Sequence, residues 1–96
     1  MNLEEDLKAR TEKYEKLTEK ALTLVEISAE KDSKDYTLAK DFLDMARNYL
    51  KDGKYYAEKE DWVTALASFS YAHAWIDAGV RARILKGEGN KLFTQP

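Results

Sequence analysis

The sequence predicts an all-α protein, an antiparallel up-down-up bundle of three helices. Apolar residues recur at intervals of three and four in three separate segments, which is the spacing of a helix face. No segment alternates apolar and polar residues as a half-buried strand would. The 96 residues include only four glycines and one proline, and that proline is the last residue, Pro96. Residues that break helices are therefore scarce.

The composition is that of one small globular domain. Hydrophobic residues make up 44% of the chain and charged residues 35%. This balance is too apolar for a disordered chain and too charged for a membrane-spanning one. Cysteine is absent, which excludes disulfides and thiolate metal sites. The first residues lack the basic and apolar stretches of a signal peptide, so we expect a cytoplasmic protein.

The first segment predicts helix one over residues 3–30. Its residues step by four and three along one narrow seam, as in a coiled coil. These residues are Leu3, Leu7, Arg10, Tyr14, Leu17, Ala21, Leu24 and Ser28. The pattern fades in residues 30–35, where Asp32 or Ser33 can cap the next helix.

The second segment predicts helix two over residues 34–59. Its apolar face comprises Ala39, Phe42, Leu43, Ala46, Tyr49, Leu50, Gly53, Tyr56 and Ala57. A glycine inside a helix costs about 1 kcal/mol relative to alanine. Gly53 therefore indicates either a close approach of a neighbouring helix or a helix end. Asp61 is a suitable N-cap for the third helix.

The third segment predicts helix three over residues 62–86, ended by Gly87 and Gly89. One apolar stripe comprises Trp62, Leu66, Phe69, His73, Ile76, Val80 and Ile84, with Ala65, Ala72 and Gly79 beside it. We expect these three helices to form one domain over residues 1–86, followed by an irregular tail over 87–96.

A second apolar face lies on the opposite side of helix three. It comprises Ala67, Tyr71, Ala74, Trp75, Ala78 and Ala82. A helix that is apolar on both sides needs a further partner. We expect an interface at Tyr71, Trp75, Ala78 and Ala82, with the protein itself as a homodimer or with another protein. Alternatively, Leu92 and Phe93 of the tail fold back over the aromatic rings.

Basic residues concentrate near the end of the chain, although the net charge is −2 and the isoelectric point is about 5.4. The cluster comprises Arg81, Arg83, Lys86 and Lys91. Cations are favourable at a helix C-terminus. The same residues could contact the phosphates of RNA or of the ribosome, and this is the alternative function that the sequence supports.

His73, Asp77 and Arg81 follow one another at successive i+4 positions of helix three. Asp77 could orient His73 as a general base, or it could pair with Arg81. No nucleophile and no glycine-rich loop accompany them, and the sequence shows no further metal ligands that would join them. We therefore expect no catalytic residues, no metal, no cofactor, no small-molecule substrate and no membrane contact.

The run from Ala65 to Arg81, centred on Tyr71-Ala72-His73-Ala74-Trp75-Ile76-Asp77-Ala78-Gly79, resembles the signature helix of the domain of unknown function 357 family, a group of small archaeal helical proteins. Residues 39–47 and 57–62 also fit, so the resemblance covers most of residues 10–86. It implies an up-down-up helical bundle in the cytoplasm without an established activity, and it supplies no catalytic residues.

Overall fold

The computed structural model describes residues 2–87, which form three helices and one two-residue strand pair. The elements in chain order are α1 (Leu3–Leu24), β1 (Glu26–Ile27), α2 (Lys34–Glu58), α3 (Trp62–Arg81) and β2 (Leu85–Lys86). The three helices pack against one another. The prediction of an all-α three-helix bundle is confirmed. None of these helices is both long enough and apolar enough to cross a membrane.

Helix α1 begins as its sequence dictates but ends earlier than predicted. The side chain of Asn2 accepts a hydrogen bond from the Glu5 amide at 2.8 Å, which satisfies one unpaired donor of the first turn. The prediction that this helix continues to residue 30 is wrong. It ends at Leu24 because Val25 turns into extended backbone, with ψ at 142°, and the next two residues pair as β1.

The buried side of α1 differs from the predicted seam. Ala21 is fully buried as expected, but Leu3 is 74% exposed. The other fully buried side chains of this helix are Thr11 and Thr18, and the buried side is rotated by roughly 60° from the predicted seam. Threonine can be buried here because its hydroxyl finds an acceptor, as in the 2.6 Å hydrogen bond from Thr11 to the Leu7 carbonyl.

Helix α2 follows the prediction closely. Ser33 is its N-cap, and the serine oxygen accepts a hydrogen bond from the Tyr36 amide at 3.1 Å. Gly53 lies inside α2 where α3 approaches closely, which was the first of the two interpretations of this glycine. A Cβ atom at Gly53 would lie 2.6 Å from Cδ1 and 2.9 Å from Cζ of Phe69 on α3. The Phe69 ring therefore occupies the space that a side chain at position 53 would need.

The turn between α2 and α3 closes through backbone hydrogen bonds. Glu60 adopts a left-handed conformation with φ at 59°. Its amide donates to the Ala57 carbonyl and the Asp61 amide donates to the Tyr56 carbonyl, which is the Schellman arrangement of a helix end. Asp61 then caps α3, since its carboxylate accepts from the Thr64 amide at 3.2 Å. This predicted N-cap is confirmed.

Helix α3 ends at Arg81 and not at residue 86, so the prediction that Gly87 and Gly89 terminate it is wrong. Arg83 adopts the left-handed conformation with φ at 63°. Its amide donates to the Val80 carbonyl, and the Ile84 amide donates to the Gly79 carbonyl. A Schellman turn therefore forms without glycine.

The burial of two consecutive apolar residues explains this early end. Ile84 and Leu85 are only 4% and 2% exposed, whereas adjacent positions of a continued helix would point about 100° apart. After the turn, Leu85 lies directly on Gly79, where an added Cβ would be 2.7 Å from the leucine Cγ. Gly79 therefore accommodates the returning chain.

Two short antiparallel strands connect the chain after α1 with the chain after α3. Glu26 pairs with Lys86, and Ile27 pairs with Leu85. The Ser28 amide continues the ladder by donating to the Ile84 carbonyl at 3.0 Å. The sequence prediction contained no strands.

Helix α3 is central, because α1 and α2 each pack mainly against it and only weakly against each other. The core combines small residues with larger apolar ones. Its buried hydrophobic members are Ala21, Ala39, Leu43, Ala46, Ala65, Phe69, Ala72, Ile76, Val80, Ile84 and Leu85.

Substitution of Gly53 by alanine tests the close approach of α2 and α3. We expect Gly53→Ala to lower the free energy of unfolding by about 1–2 kcal/mol, because overpacking at the Phe69 ring outweighs the gain in helix propensity. Urea denaturation measures this change. The double variant Gly53→Ala/Phe69→Leu should recover part of the loss, whereas a stability of Gly53→Ala at or above the wild-type value would contradict the packing described.

Substitution of Arg83 by glycine tests the end of α3. Because an L-residue other than glycine is disfavoured at positive φ, we expect Arg83→Gly to raise the free energy of unfolding by roughly 0.5–1 kcal/mol. The neighbouring control is Ala82→Gly, where φ is −77°, and this variant should be less stable than wild type. Equal destabilisation by both glycines in thermal unfolding would show that residue 83 is not left-handed.

Candidate functional site

The side of α3 that faces away from the core is apolar. Every exposed residue between Trp62 and Val80 is uncharged, and these residues are Val63, Ala67, Ser70, Tyr71, Ala74 and Ala78. We call these six residues the outer face of α3. Val63 is 64% exposed and Tyr71 is 59% exposed. Charged residues make up 35% of the chain, yet over four turns of α3 no exposed residue is charged. A continuous uncharged surface of this kind is unusual where a protein contacts only solvent.

The predicted interface residues divide into two groups. Tyr71, Ala78 and Ala82 are exposed, whereas Trp75 is half-buried. The indole of Trp75 packs edge-to-face on Phe42 of α2, with ring centroids 5.0 Å apart and planes at 73°. Helix α2 therefore covers part of the second apolar face that the sequence predicted.

Tyr71 also has a neighbour on α2, but it stays accessible. Its ring centroid lies 5.4 Å from that of Tyr49, with the planes at 39°. One side of the phenol ring is thus supported while more than half of the side chain remains in solvent. The alternative cover, by Leu92 and Phe93, concerns residues outside those that the structure describes.

His73 lies between two helices in a row of polar groups. Its Nδ1 is 3.4 Å from the hydroxyl oxygen of Thr18 on α1. Its Nε2 is 3.7 Å from Oδ1 of Asp77, one turn further along α3. The sequence pointed to the relation of His73 and Asp77, but Thr18, which is 55 positions from His73, was missed. Only the pairing of α1 with α3 brings it there.

A hydroxyl, an imidazole and a carboxylate in this order are the parts of a nucleophilic triad. The Thr18 hydroxyl, however, is fully buried, and it also donates to the Phe69 carbonyl at 3.5 Å. The His73 side chain is 19% exposed and that of Asp77 30%. These contacts connect α1 to α3, and a substrate could not reach the buried Thr18 hydroxyl in this arrangement. Arg81, the third residue of the predicted motif, is exposed at the end of α3.

The predicted basic cluster lies at one end of the bundle. Arg81, Arg83 and Lys86 are all exposed, at the end of α3 and on β2. Lys86 Nζ is 3.7 Å from the carboxylate of Glu26 across the strand pair, and both side chains are about two-thirds exposed or more. Such exposed pairs contribute little stability. Lys91 lies outside the described residues.

A second group of charges joins α1 to α2. Lys54 Nζ is 2.9 Å from the Glu19 carboxylate, and this hydrogen bond raises the pKa of Lys54 above its usual 10.5. Burial raises the pKa of the Glu15 carboxyl on the same side of α1, and repulsion from Glu19 raises it further. Within residues 2–87, no three acidic or histidine side chains are grouped so that they could hold a metal ion.

Substitution of Glu15 by glutamine tests this electrostatic arrangement. The pKa of Glu15 is raised in the folded state, so folding favours the protonated carboxyl over the ionised one. The stability that this preference contributes is complete below the usual pKa of 4.5 and is lost as the pH rises through the folded pKa. We therefore expect Glu15→Gln to raise the melting temperature at neutral pH, with a smaller rise below pH 4.5.

The control for this measurement is Glu30→Gln at an exposed position of the turn before α2, which should leave the melting temperature nearly unchanged. An effect of Glu15→Gln that is the same at acidic and neutral pH would contradict the assigned cause.

Comparison with known proteins identifies the family but adds no activity. No curated protein and no solved structure matches the chain. The model of one family, described as "Protein of unknown function (DUF357)", matches residues 13–85. This span contains all of α2, α3 and β1, about the second half of α1, and the first residue of β2. Because the match extends over well more than half of the chain, the protein belongs to the DUF357 family.

Proposed function

We propose that the protein is a non-catalytic interaction module that self-associates through the outer face of α3. The observation that carries this proposal is the run of exposed, uncharged residues from Val63 to Ala78. Water contact with an extended apolar surface is unfavourable, and surfaces of this kind are common where proteins bind proteins.

The size of the face is compatible with a dimer interface. Helix α3 has 20 residues, which corresponds to a length of about 30 Å. The bundle measures 17–23 Å across its two shorter axes. The outer face itself is one helix wide, about 10–12 Å, so it covers roughly 300–350 Å². This is the size of the largest apolar patch on a typical protein surface, and a standard interface of ~800 Å² per partner would also extend over the flanking residues of the bundle.

The one large aromatic residue of the outer face, Tyr71, also fits an interface. Tyrosine contributes strongly to binding because it buries a large area with few rotatable bonds. Tyr71 is additionally held in place by the Tyr49 ring, so little conformational entropy is lost when a partner covers it.

A non-catalytic role is supported by the row of Thr18, His73 and Asp77. A substrate would need access to the hydroxyl, and Thr18 is fully buried beneath α3. The polar row therefore acts in this proposal as a connection between helices.

The alternative function, contact with RNA or the ribosome, would use the basic end of the bundle. Arg81 and Arg83 are exposed there, but Lys86 lies near Glu26 and the chain as a whole is acidic. Nucleic-acid-binding domains usually carry a more extensive basic surface. Salt-sensitive RNA binding that Arg83→Ala abolishes, in a protein that stays monomeric, would favour the alternative and overturn self-association.

Substitution of Tyr71 by glutamate tests the proposal. We expect the wild-type mass in sedimentation equilibrium to rise with concentration from 11.1 kDa towards twice that value. Tyr71→Glu places a charge in the centre of the face, and we expect it to raise the dissociation constant of the dimer by about tenfold or more.

The matched control is Tyr55→Glu. Tyr55 is a tyrosine of similar exposure, 55%, about a third of a turn around α2 from Tyr49, and this variant should self-associate like wild type. Ala74→Glu serves as a second disrupting variant that leaves the Tyr49 contact intact. A wild-type protein that stays at 11.1 kDa up to millimolar concentration, or a dimer that neither glutamate on the outer face weakens, would refute the proposal.

A further inference from the structure

We infer that the partner on the outer face of α3 is a second copy of this chain in antiparallel orientation, with the twofold axis between Ala72 and His73. This inference rests on the proposed self-association. In a twofold interface the same surface serves both subunits, so that if residue i meets residue j, residue j also meets residue i. The surface must therefore be complementary to itself when its direction is reversed.

The spacing of the exposed apolar residues meets this requirement. Along α3 and its C-cap they are Val63, Ala67, Tyr71, Ala74, Ala78 and Ala82. The successive intervals are four, four, three, four and four residues, and this series is the same in both directions. An axis between residues 72 and 73 places every member of the series opposite another member over the full length of the helix.

The sizes of the facing side chains also match. Under this symmetry Tyr71 lies opposite Ala74 of the partner subunit, and Val63 lies opposite Ala82 of the partner subunit. Each larger side chain therefore meets a methyl group, which allows the helices to approach closely. In a parallel pair, Tyr71 would meet the partner's Tyr71, and two bulky rings would hold the helices apart.

The charges at the two ends of α3 favour the same orientation. The turn before α3 exposes three carboxylates and one lysine, over residues 58–61. The other end exposes Arg81, Arg83 and Lys86. Antiparallel pairing places the basic end of each subunit near the acidic turn of the other, whereas parallel pairing would place the two basic ends together.

Cysteine cross-linking tests the orientation, since the natural chain has no cysteine. In the antiparallel dimer, two copies of residue 74 lie about 4.5 Å apart along the axis, and two copies of residue 67 lie about 16 Å apart. A disulfide requires Cα atoms within about 7 Å. We expect Ala74→Cys to cross-link with itself under mild oxidation, and Ala67→Cys to cross-link with itself at least tenfold more slowly.

Residues 67 and 78 face each other in this arrangement, so a mixture of Ala67→Cys and Ala78→Cys proteins should give a mixed disulfide dimer. Rapid self-cross-linking of Ala67→Cys would overturn the antiparallel orientation. A wild-type protein that sediments as a dimer, without the Ala74 or the 67–78 cross-link, would refute this arrangement alone. A wild-type protein that sediments as a monomer would refute both this inference and the proposed function.

Discussion

The close packing of α2 on α3 is the constraint on which the rest of the structure depends. Small residues make it possible, because Ala39 and Ala46 of α2 and Ala65 and Ala72 of α3 are all completely buried. The Phe69 ring fills the space above Gly53. Because α3 uses one side for α2 and an adjacent side for α1, only its remaining side is left for solvent or for a partner. The apolar character of that side is therefore not needed for the core.

The connection between α1 and α3 depends on polar atoms in addition to apolar contacts. The hydroxyl of Thr11 lies 3.2 Å from the Trp62 carbonyl, and that of Thr18 reaches both Phe69 and His73. No buried side-chain nitrogen or oxygen among the described residues lacks a hydrogen-bond partner. A buried polar group without a partner costs free energy. The threonines therefore favour the rotation of α1 that places them towards α3, and disfavour the rotation that would bury the leucine seam predicted from periodicity.

The features that depend on local sequence could be predicted, and those that depend on distant pairing could not. Helical spacing predicted the three helices, and short-range capping chemistry identified Asp61 and narrowed the N-cap of α2 to Asp32 or Ser33, of which Ser33 is the cap. The same spacing placed Tyr71, Ala78 and Ala82 on an exposed side of α3. The partial cover of Trp75 escaped prediction because it depends on how α2 is rotated about its axis. The ends of α1 and α3 escaped prediction because Ile27 and Leu85 form strands only when they meet.

The strand pair also determines how the bundle can open. Glu26 and Ile27 follow α1 after a single residue, Val25, and their pairing with the chain after α3 holds the C-terminal end of α1 in place. Among residues 2–87, the opposite end of α1 forms no strand pair, and Leu3 there is exposed to solvent. If α1 separates from the other helices, it therefore peels away from its first turns, so that Thr11 loses its contact before Thr18 does. The hydrogen bonds of Thr18 and the adjacent Glu19–Lys54 ion pair lie nearer the strands and break later.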